Sequence, residues 1–372
     1  MEYQRCARCI MDNESDASIR FQADGTCNYC NDTLKRRDHE YFPNEQGQKR
    51  LEAAVREMKA YGKGKRFDCM VGVSGGVDSS YLVYLGHQYG LRMLAVHIDD
   101  GLDTQTAKDN MEKLCEQAKV RLICIQPDRK QYADVTRCFF EAAVPNLAGP
   151  QDNLLLAALD KAAEEYGIYY NLSGANFALE SILERSDGVN ASDDKHIKAI
   201  HKLYGKEGID KLYFHTLINR YIVNRYFKRR KTLCLLNWMD YNLERALKEL
   251  DDFCGFAYYG GKHYESVLTR FLQCYYLPEK YKFDKRKSHY SSMILSGQMT
   301  REEALARMEK PAYQSRDLKE QDFCFLADYF GMSREDFDRM VALPPKRHED
   351  YPMSRLNDWA WLARKLRRYL GA

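Results

Sequence analysis

Residues Cys69 to Ser80, Cys-Met-Val-Gly-Val-Ser-Gly-Gly-Val-Asp-Ser-Ser, restrict the possible folds more than any other stretch of the chain. The apolar run from Cys69 to Val73 has the length and composition of a buried strand, and helical apolar spacing begins directly behind it at Ser79. Between them, Ser74-Gly75-Gly76 leaves room only for a tight turn. A glycine-rich turn from strand to helix exposes successive backbone N–H groups at the positive end of the helix dipole, which makes an anion site suited to phosphate. No Gly-Lys-Ser/Thr follows the glycines, so the loop is not of the Walker type.

The pattern around this junction repeats. Gln48 to Tyr61 reads as a helix with Leu51, Val55 and Met58 on one face. Met93 to Asp99 is a second short strand ending in Asp99-Asp100-Gly101, and Thr104 to Ala118 is the helix after it. Arg121 to Gln126 is a third strand, Leu154 to Tyr166 a helix, and Ile168 to Ser173 a fourth strand closed by Gly174. Lys231 to Trp238 is a candidate fifth. Strands alternating with helices at this spacing predict an α/β fold with a parallel sheet covered on both faces. Right-handed crossovers then bring the 74–79 turn, Asp99-Asp100 and Ser173-Gly174 to one sheet edge, where ligands bind in such folds. Three parts are expected: a cysteine-bearing head over residues 1–35, the α/β domain over 36–240, and a mostly helical region over 241–372 that ends in a basic helix from Asp358 to Tyr369.

Composition excludes several classes of protein. A chain of 372 residues with 45% hydrophobic and 30% charged residues is that of an ordinary globular protein with a real core. There is no apolar run long enough for a membrane span, and Met1-Glu-Tyr-Gln-Arg lacks the apolar core of a signal peptide. Twelve cysteines in such a chain point to a reducing compartment, the cytoplasm. A net charge of +3 demands no nucleic-acid partner. From Lys211 to Lys231, basic residues alternate with aromatics. This segment reads as an amphipathic helix with Leu217, Ile218, Tyr221, Ile222 and Tyr226 inward, and RNA contact is the competing reading.

Cys6-Ala-Arg-Cys9 and Cys27-Asn-Tyr-Cys30 are two CxxC pairs, each able to turn two thiolates toward one point. Four thiolates complete the closed shell of a structural Zn²⁺, and an iron–sulfur cluster is the competing occupant. The remaining eight cysteines show no CxxC spacing and read mostly as core fillers.

Ser74-Gly-Gly-Val-Asp-Ser79 resembles the PP-loop of the ATP pyrophosphatases, in which the loop cradles the leaving pyrophosphate. Taken with the four-cysteine head, Val96-His-Ile-Asp-Asp-Gly101, Ser173-Gly-Ala-Asn-Phe-Ala-Leu-Glu180, Tyr259-Gly-Gly-Lys-His-Tyr-Glu-Ser266, Tyr276-Leu-Pro-Glu-Lys280 and Asp284-Lys-Arg286, the whole chain resembles the N-acetyl sugar amidotransferases. These bacterial enzymes of surface-polysaccharide and flagellin-sugar pathways convert an acetamido group on a nucleotide-activated sugar into an acetamidino group. The resemblance implies ATP as substrate, Mg²⁺ as its counterion and AMP plus pyrophosphate as products. It implies a cradle of Ser74, Gly75, Gly76, Asp78 and Ser79, with Asp78 also a Mg²⁺ contact. Asp99 or Asp100 would meet adenine or ribose. Gly174, Asn176 and Glu180 would open the helix after the fourth strand, with Glu180 a second Mg²⁺ contact. Lys262, His263 and Glu265 would face the substrate amide and phosphate, and Lys285 and Arg286 would supply further positive charge. Asp99-Asp100-Gly101-Leu102 departs from the family pattern, where an Asn and a Trp flank the glycine.

No cysteine sits where a glutaminase nucleophile belongs. The resemblance therefore implies a separate glutaminase subunit as partner, with a cyclase-like subunit as ammonia conduit. A tRNA-thiolating PP-loop enzyme is the alternative reading; the absence of a CxxC after Cys30 counts against it.

Overall fold

The computed structural model describes residues 2–16, 18–184 and 188–357. The basic helix expected from Asp358 to Tyr369 lies outside the described residues. Five parallel strands, β1 Cys69–Gly72, β2 Met93–Ile98, β3 Arg121–Ile125, β4 Tyr170–Leu172 and β5 Lys231–Leu233, form one sheet in the order β3-β2-β1-β4-β5. The register sets Val71 opposite Ala95 and Leu172, and Leu94 opposite Arg121. Chain order reverses between β1 and β4. That reversal opens a crevice at the strands' carboxyl ends, the position where open α/β sheets hold ligands. β5 is three residues long, because the chain turns into a 3₁₀ segment at Leu235–Trp238.

Helices cover both faces, which explains why β1 and β2 read as unbroken apolar runs. In chain order they are α1 Asn28–Glu40, α2 Glu45–Tyr61, α3 Val77–Gln88, α4 Gln105–Ala118, α5 Arg129–Glu141, α6 Gly149–Glu165, α7 Phe177–Glu180 and α8 Asp194–Tyr204. On one face Val71, Ala95 and Leu172 pack against Leu82 of α3, Leu114 of α4 and Met58 of α2. On the other, Met70, Leu94 and Val96 pack against Leu159, Ala162 and Ala163 of α6. Burial of each such Leu or Val contributes about 1.5–3 kcal/mol.

The segment Asn219–Phe227 corrects an expectation. It is π-helical, and Ile218, Ile222, Tyr226 and Phe227 are exposed, while Leu217 is buried. Its i→i+5 hydrogen bonds widen each turn, so apolar residues spaced for an α-helix no longer share one inward stripe. The exposed apolar residues alternate with Arg220, Arg225, Lys228 and Arg229.

Beyond the sheet, α9 Leu243–Cys254 returns to the core against α3 and α4. Then α10 Val267–Phe271, α11 Leu277–Tyr281, α12 Arg286–Leu295, α13 Arg301–Met308, α14 Arg316–Tyr329 and α15 Arg334–Val341 build the helical region. Phe140 of α5 meets Phe271, Phe330 and Phe337 in one aromatic cluster, which fuses this region to the α/β part. The head packs on the same region. Ile10 is buried against Met299 and Ala304, Lys287 reaches Asp12 at 2.6 Å, and Arg301 donates to the carbonyls of Cys6 and Cys9. Of the other cysteines, Cys124 and Cys324 are exposed, so they are not core fillers.

Arg270 on α10 makes a two-pronged contact with Asp322 on α14, Nε to Oδ2 at 2.8 Å and Nη2 to Oδ1 at 2.6 Å, and Tyr313 donates to the same carboxylate. Both charges are buried. Breaking a buried pair leaves one charge stranded, which costs far more than the intact pair contributes. Asp322→Ala is therefore expected to lower stability by about 3–5 kcal/mol in urea unfolding; a change within the range of a surface substitution would mean that the pair does not tie α10 to α14.

Candidate active site

Gly75 takes φ +76°, and a Cβ there would lie 2.4 Å from the Ala107 carbonyl oxygen, so only glycine makes this turn. Gly76 is the N-cap of α3 and has no side chain to bond the helix's first amides. Within the loop, Ser74 Oγ accepts from Gly76 N at 3.2 Å, and the Tyr259 hydroxyl accepts from Val77 N at 3.0 Å. These hydroxyl oxygens hold acceptor positions of the kind that a phosphate oxygen takes. Gly174, at the end of β4, approaches so closely that a Cβ would sit 3.3 Å from Asp78 Cβ and Ser79 N.

Five charged side chains converge beside this turn. Asp78, in the first turn of α3, accepts from the Tyr241 hydroxyl at 2.5 Å and from Lys262 Nζ at 2.5 Å. Lys262 Nζ also lies 3.2 Å from Glu180 Oε1, and His263 Nε2 lies 3.1 Å from the same oxygen. Glu265 Oε1 accepts from Ser74 Oγ at 3.1 Å and stands 3.9 Å from His263 Nδ1. His263 holds φ +63°, a left-handed conformation that costs a non-glycine residue about 1–2 kcal/mol. The loop 259–266 is held there by the exit of β2, through Thr104 N to Glu265 O and Val267 N to Leu102 O, both at 2.8 Å.

Two cavities flank this cluster. One of about 210 Å³ is lined by Ser74, Gly76, Asp78, Gly174, Glu180, Tyr258, Lys262 and His263. The second, of about 460 Å³, lies toward β2 and α6 and carries His97, Asp100, Asp103, Asp152 and Lys285. Ser74, His263 and Glu265 line both.

Burial penalises each charge, but the neighbours decide the outcome. Lys262 and then His263 hold the Glu180 carboxyl well below the usual range despite its burial. Burial would lower His263, yet its contacts with Glu180 and Glu265 push it up to about 9, so it is an imidazolium at neutral pH. His289 stands beside it and goes the other way: burial, Lys262 and His263 hold it neutral. Asp152 is exposed at the second cavity, where desolvation lifts its carboxyl to about 6. Lys285 and Asp99 are both engaged, Lys285 with Glu184 at 3.3 Å and Asp99 with Lys108 at 3.3 Å.

Of the residues expected from the sequence, Ser74, Gly75, Gly76, Asp78, Ser79, Gly174, Glu180, Lys262, His263 and Glu265 are brought together. Asn176 is the N-cap of α7, accepting from Leu179 N, which keeps its amide out of the cavities. Asp100 faces the second cavity but is bound by Leu102 N, Tyr132 and Gln151. Arg286 lines neither cavity; its guanidinium is paired with Asp284 and the Lys310 carbonyl. Sequence reasoning missed Tyr241, Tyr259, Asp152, His97 and Asp103. Two signals were available: Tyr259 at the head of the Gly-Gly-Lys block, and His97 within Val96–Gly101.

In the head, the four thiols are buried, with Sγ atoms 3.7 Å apart for Cys6–Cys30 and 3.8 Å for Cys9–Cys27. The amides of Arg8, Cys9 and Cys27 point at Cys6 Sγ, and that of Cys30 at Cys27 Sγ. Such a buried group can hold a metal.

The imidazolium assignment has a direct check. An NMR titration of the His263 ring is expected to show a midpoint near 9, against 6.5 for a free imidazole. The folded value lies above the unfolded one, so the stability this contact contributes is complete below about pH 6.5 and lost as pH rises through about 9. Glu180→Gln is expected to bring the midpoint down by about one unit or more. A wild-type midpoint near 6.5 would mean that the two carboxylates do not hold the charge.

Residues 265–367 match the family model for the LPS biosynthesis protein WbpG-like C-terminal domain. No curated protein matches the chain. Among solved structures, the U34-tRNA thiolase NcsA from Methanococcus maripaludis, with its [4Fe-4S] cluster, is similar at 10% identity and TM-score 0.35, over 92% of this chain and 90% of that one. NAD⁺ synthetase from Burkholderia pseudomallei is similar at 13% identity and TM-score 0.30, over 61% of this chain and 94% of that one. NMN synthetase from Francisella tularensis is similar at 13% identity and TM-score 0.28, over 56% and 93%. The chain thus places the Ser74–Ser79 loop at the carboxyl edge of a parallel sheet and carries, on residues 265–367, a segment similar to the WbpG-like C-terminal domain of LPS biosynthesis.

Proposed function

We propose that this chain is the ATP-consuming component of an amidotransferase, converting the acetamido group of a nucleotide-activated sugar into an acetamidino group for a bacterial surface polysaccharide. The observation that carries this reading is the convergence of Asp78, Lys262, Glu180 and His263 on the uncapped start of α3, in a chain whose residues 265–367 are similar to a WbpG-like domain of LPS biosynthesis.

An amide carbonyl is a weak electrophile, and its oxygen leaves poorly. Bonding AMP to that oxygen, with pyrophosphate released, gives an O-adenylated imidate. Ammonia attacks the imidate carbon, the C–O bond breaks with AMP as leaving group, and loss of a proton leaves the amidine. The loop amides and Lys262 neutralise the charge growing on pyrophosphate, and charge stabilisation of this kind supplies most of the rate in such transfers. His263 carries its own proton at neutral pH, so it serves as a cationic donor rather than a base. Asp152, which lines the second cavity, is the carboxylate we assign to take the proton that the attacking nitrogen sheds. Asp78 and Glu180 already share one cation, Lys262, and are the carboxylates that would hold Mg²⁺, which supplies further neutralisation of phosphate charge. The ammonia comes from a separate glutaminase, with a cyclase-like subunit as conduit.

Zinc is the ion we assign to the head. Tetrahedral coordination with Zn–S bonds of about 2.3 Å puts sulfurs about 3.8 Å apart, which the 3.7 and 3.8 Å pairs match; a cubane cluster needs its four cysteines spread around it. The purified chain is then expected to carry about one zinc ion, with no visible iron–sulfur absorption. Iron with that absorption would replace the assignment.

One observation favours a second reading, in which the substrate is tRNA: exposed Tyr226 and Phe227 beside Arg225 and Arg229 make a platform on which bases stack. Pyrophosphate release from ATP, measured with ammonium chloride and either UDP-diacetamido sugars, CMP-linked nonulosonates or bulk tRNA, separates the two. The expected outcome is release stimulated by one nucleotide sugar, whose product mass shows an oxygen replaced by NH. Asp78→Ala is expected to slow it by about 10²–10³-fold with the fold retained. Release that responds to tRNA alone would overturn the proposal.

A further inference from the structure

At the exit of β2, outside the loop cluster, His97 projects into the sheet edge with only 5% of its surface exposed. Its Nδ1 lies 2.9 Å from the Val73 carbonyl oxygen, an acceptor, so Nδ1 carries a proton and donates it. In the neutral ring this leaves a lone pair on Nε2. Asp103 Oδ2 lies 3.2 Å from Nε2, and its carboxylate is as deeply buried as the ring. Against its burial, the contact raises the His97 pKa, yet neither atom makes an aligned hydrogen bond, although both are shielded from solvent. A proton shared between two such atoms needs the N–H to point along the line joining them. A metal ion sits off that line, and ligands in adjacent positions around it stand about 3 Å apart when each bond is about 2.1 Å. The spacing and the misalignment therefore fit two ligands of a third atom better than donor and acceptor. Asp99 completes the set, with a carboxylate oxygen within 4.8 Å of both. Lys108 and Gln126 contact the Asp99 carboxylate, fixing its orientation as outer partners of metal ligands do.

We propose that His97, Asp99 and Asp103 form a cation site for a first-row divalent ion such as Mn²⁺. One imidazole with two carboxylates favours Mn²⁺, Fe²⁺ or Zn²⁺ over Ca²⁺ or Mg²⁺, which take oxygen ligands alone. His97 and Asp103 also line the 460 Å³ cavity, so the site lies at its wall. Asp100 stands outside this set; its oxygens turn instead to Leu102 N, Tyr132 and Gln151. Asp103 pairs across a β-bridge with Ser266, so the ion also braces the loop that carries Lys262 and His263. The inference rests on these atoms alone and is independent of which reaction the site performs.

The test is Mn²⁺ titration of the full chain by electron paramagnetic resonance, without nucleotide and in metal-free buffer. The expected result is saturable loss of the free-ion signal at a stoichiometry near one, retained in Asp78→Asn and abolished in Asp103→Asn. Pulsed measurements are expected to show imidazole-nitrogen coupling that persists in His263→Gln and vanishes in His97→Gln. Thermal unfolding of each variant separates loss of the site from loss of the fold, and should Asp103→Asn fail to fold, the wild-type and His263→Gln couplings decide. Absence of saturable binding, binding that survives Asp103→Asn, or binding that depends on Asp78 instead would overturn the proposal in favour of an imidazolium–carboxylate pair.

Discussion

The ammonium of Lys262, held between Asp78 and Glu180, is the interaction on which the rest of the site depends. The two carboxylates come from different strand ends, one from the helix after β1 and one from the short helix after β4. They can be packed this closely only because a cation lies between them and a second, His263, lies behind. Take either cation away and a carboxylate must protonate or move, since two uncompensated charges in a dry site cost several kcal/mol each. Both cations come from one loop, 259–266, which follows the entire α/β sheet in the chain. The helical region is therefore not an appendage to the sheet; it completes the charge cluster at the sheet's carboxyl edge.

The same reasoning gives the cysteine head a role beyond closing the N-terminus. Thr33 Oγ1 and Arg36 donate to the Ser181 carbonyl, and Ile182 is buried among the four cysteines. Ser181 follows Glu180 directly. The head therefore fixes the backbone immediately behind a carboxylate of the site, while Arg301 and Lys287 fix the head to α12 and α13.

The sheet, the turn at Ser74–Ser79 and the cysteine cluster were legible in the sequence because each is local: a run, a spacing, a pair of glycines. Gly-Gly-Lys-His-Tyr-Glu was legible only through resemblance, since no local rule says that Lys262 reaches back 184 positions to Asp78. Tyr241 carried no signal at all. It is one of 27 tyrosines, and its partner is fixed by tertiary packing. Arg286 failed for a simpler reason: Asp284 sits two residues before it and captures the guanidinium locally. The Lys211–Lys231 segment misled because apolar spacing was read with an α-helical period, whereas the backbone takes the wider π turn.

Ser74, His263 and Glu265 stand where the two cavities meet, and the chemistry on either side of that wall differs. The smaller cavity gathers helix-terminal amides, Lys262 and His263, and suits an anion. The larger one gathers Asp100, Asp103, Asp152 and Glu265 against Lys285, His97 and His263, and is repellent to a second cluster of phosphates unless a cation enters with it. An anhydride cleaved between its first and second phosphorus atoms has its most highly charged fragment on one side and its nucleoside on the other. On the proposed reading, the smaller cavity takes the pyrophosphate, and the bond that breaks lies at the wall. The larger cavity is then left for the nucleoside and for an uncharged amide approached by a neutral amine. On that reading, its acidic lining suits the passage of nitrogen rather than phosphate.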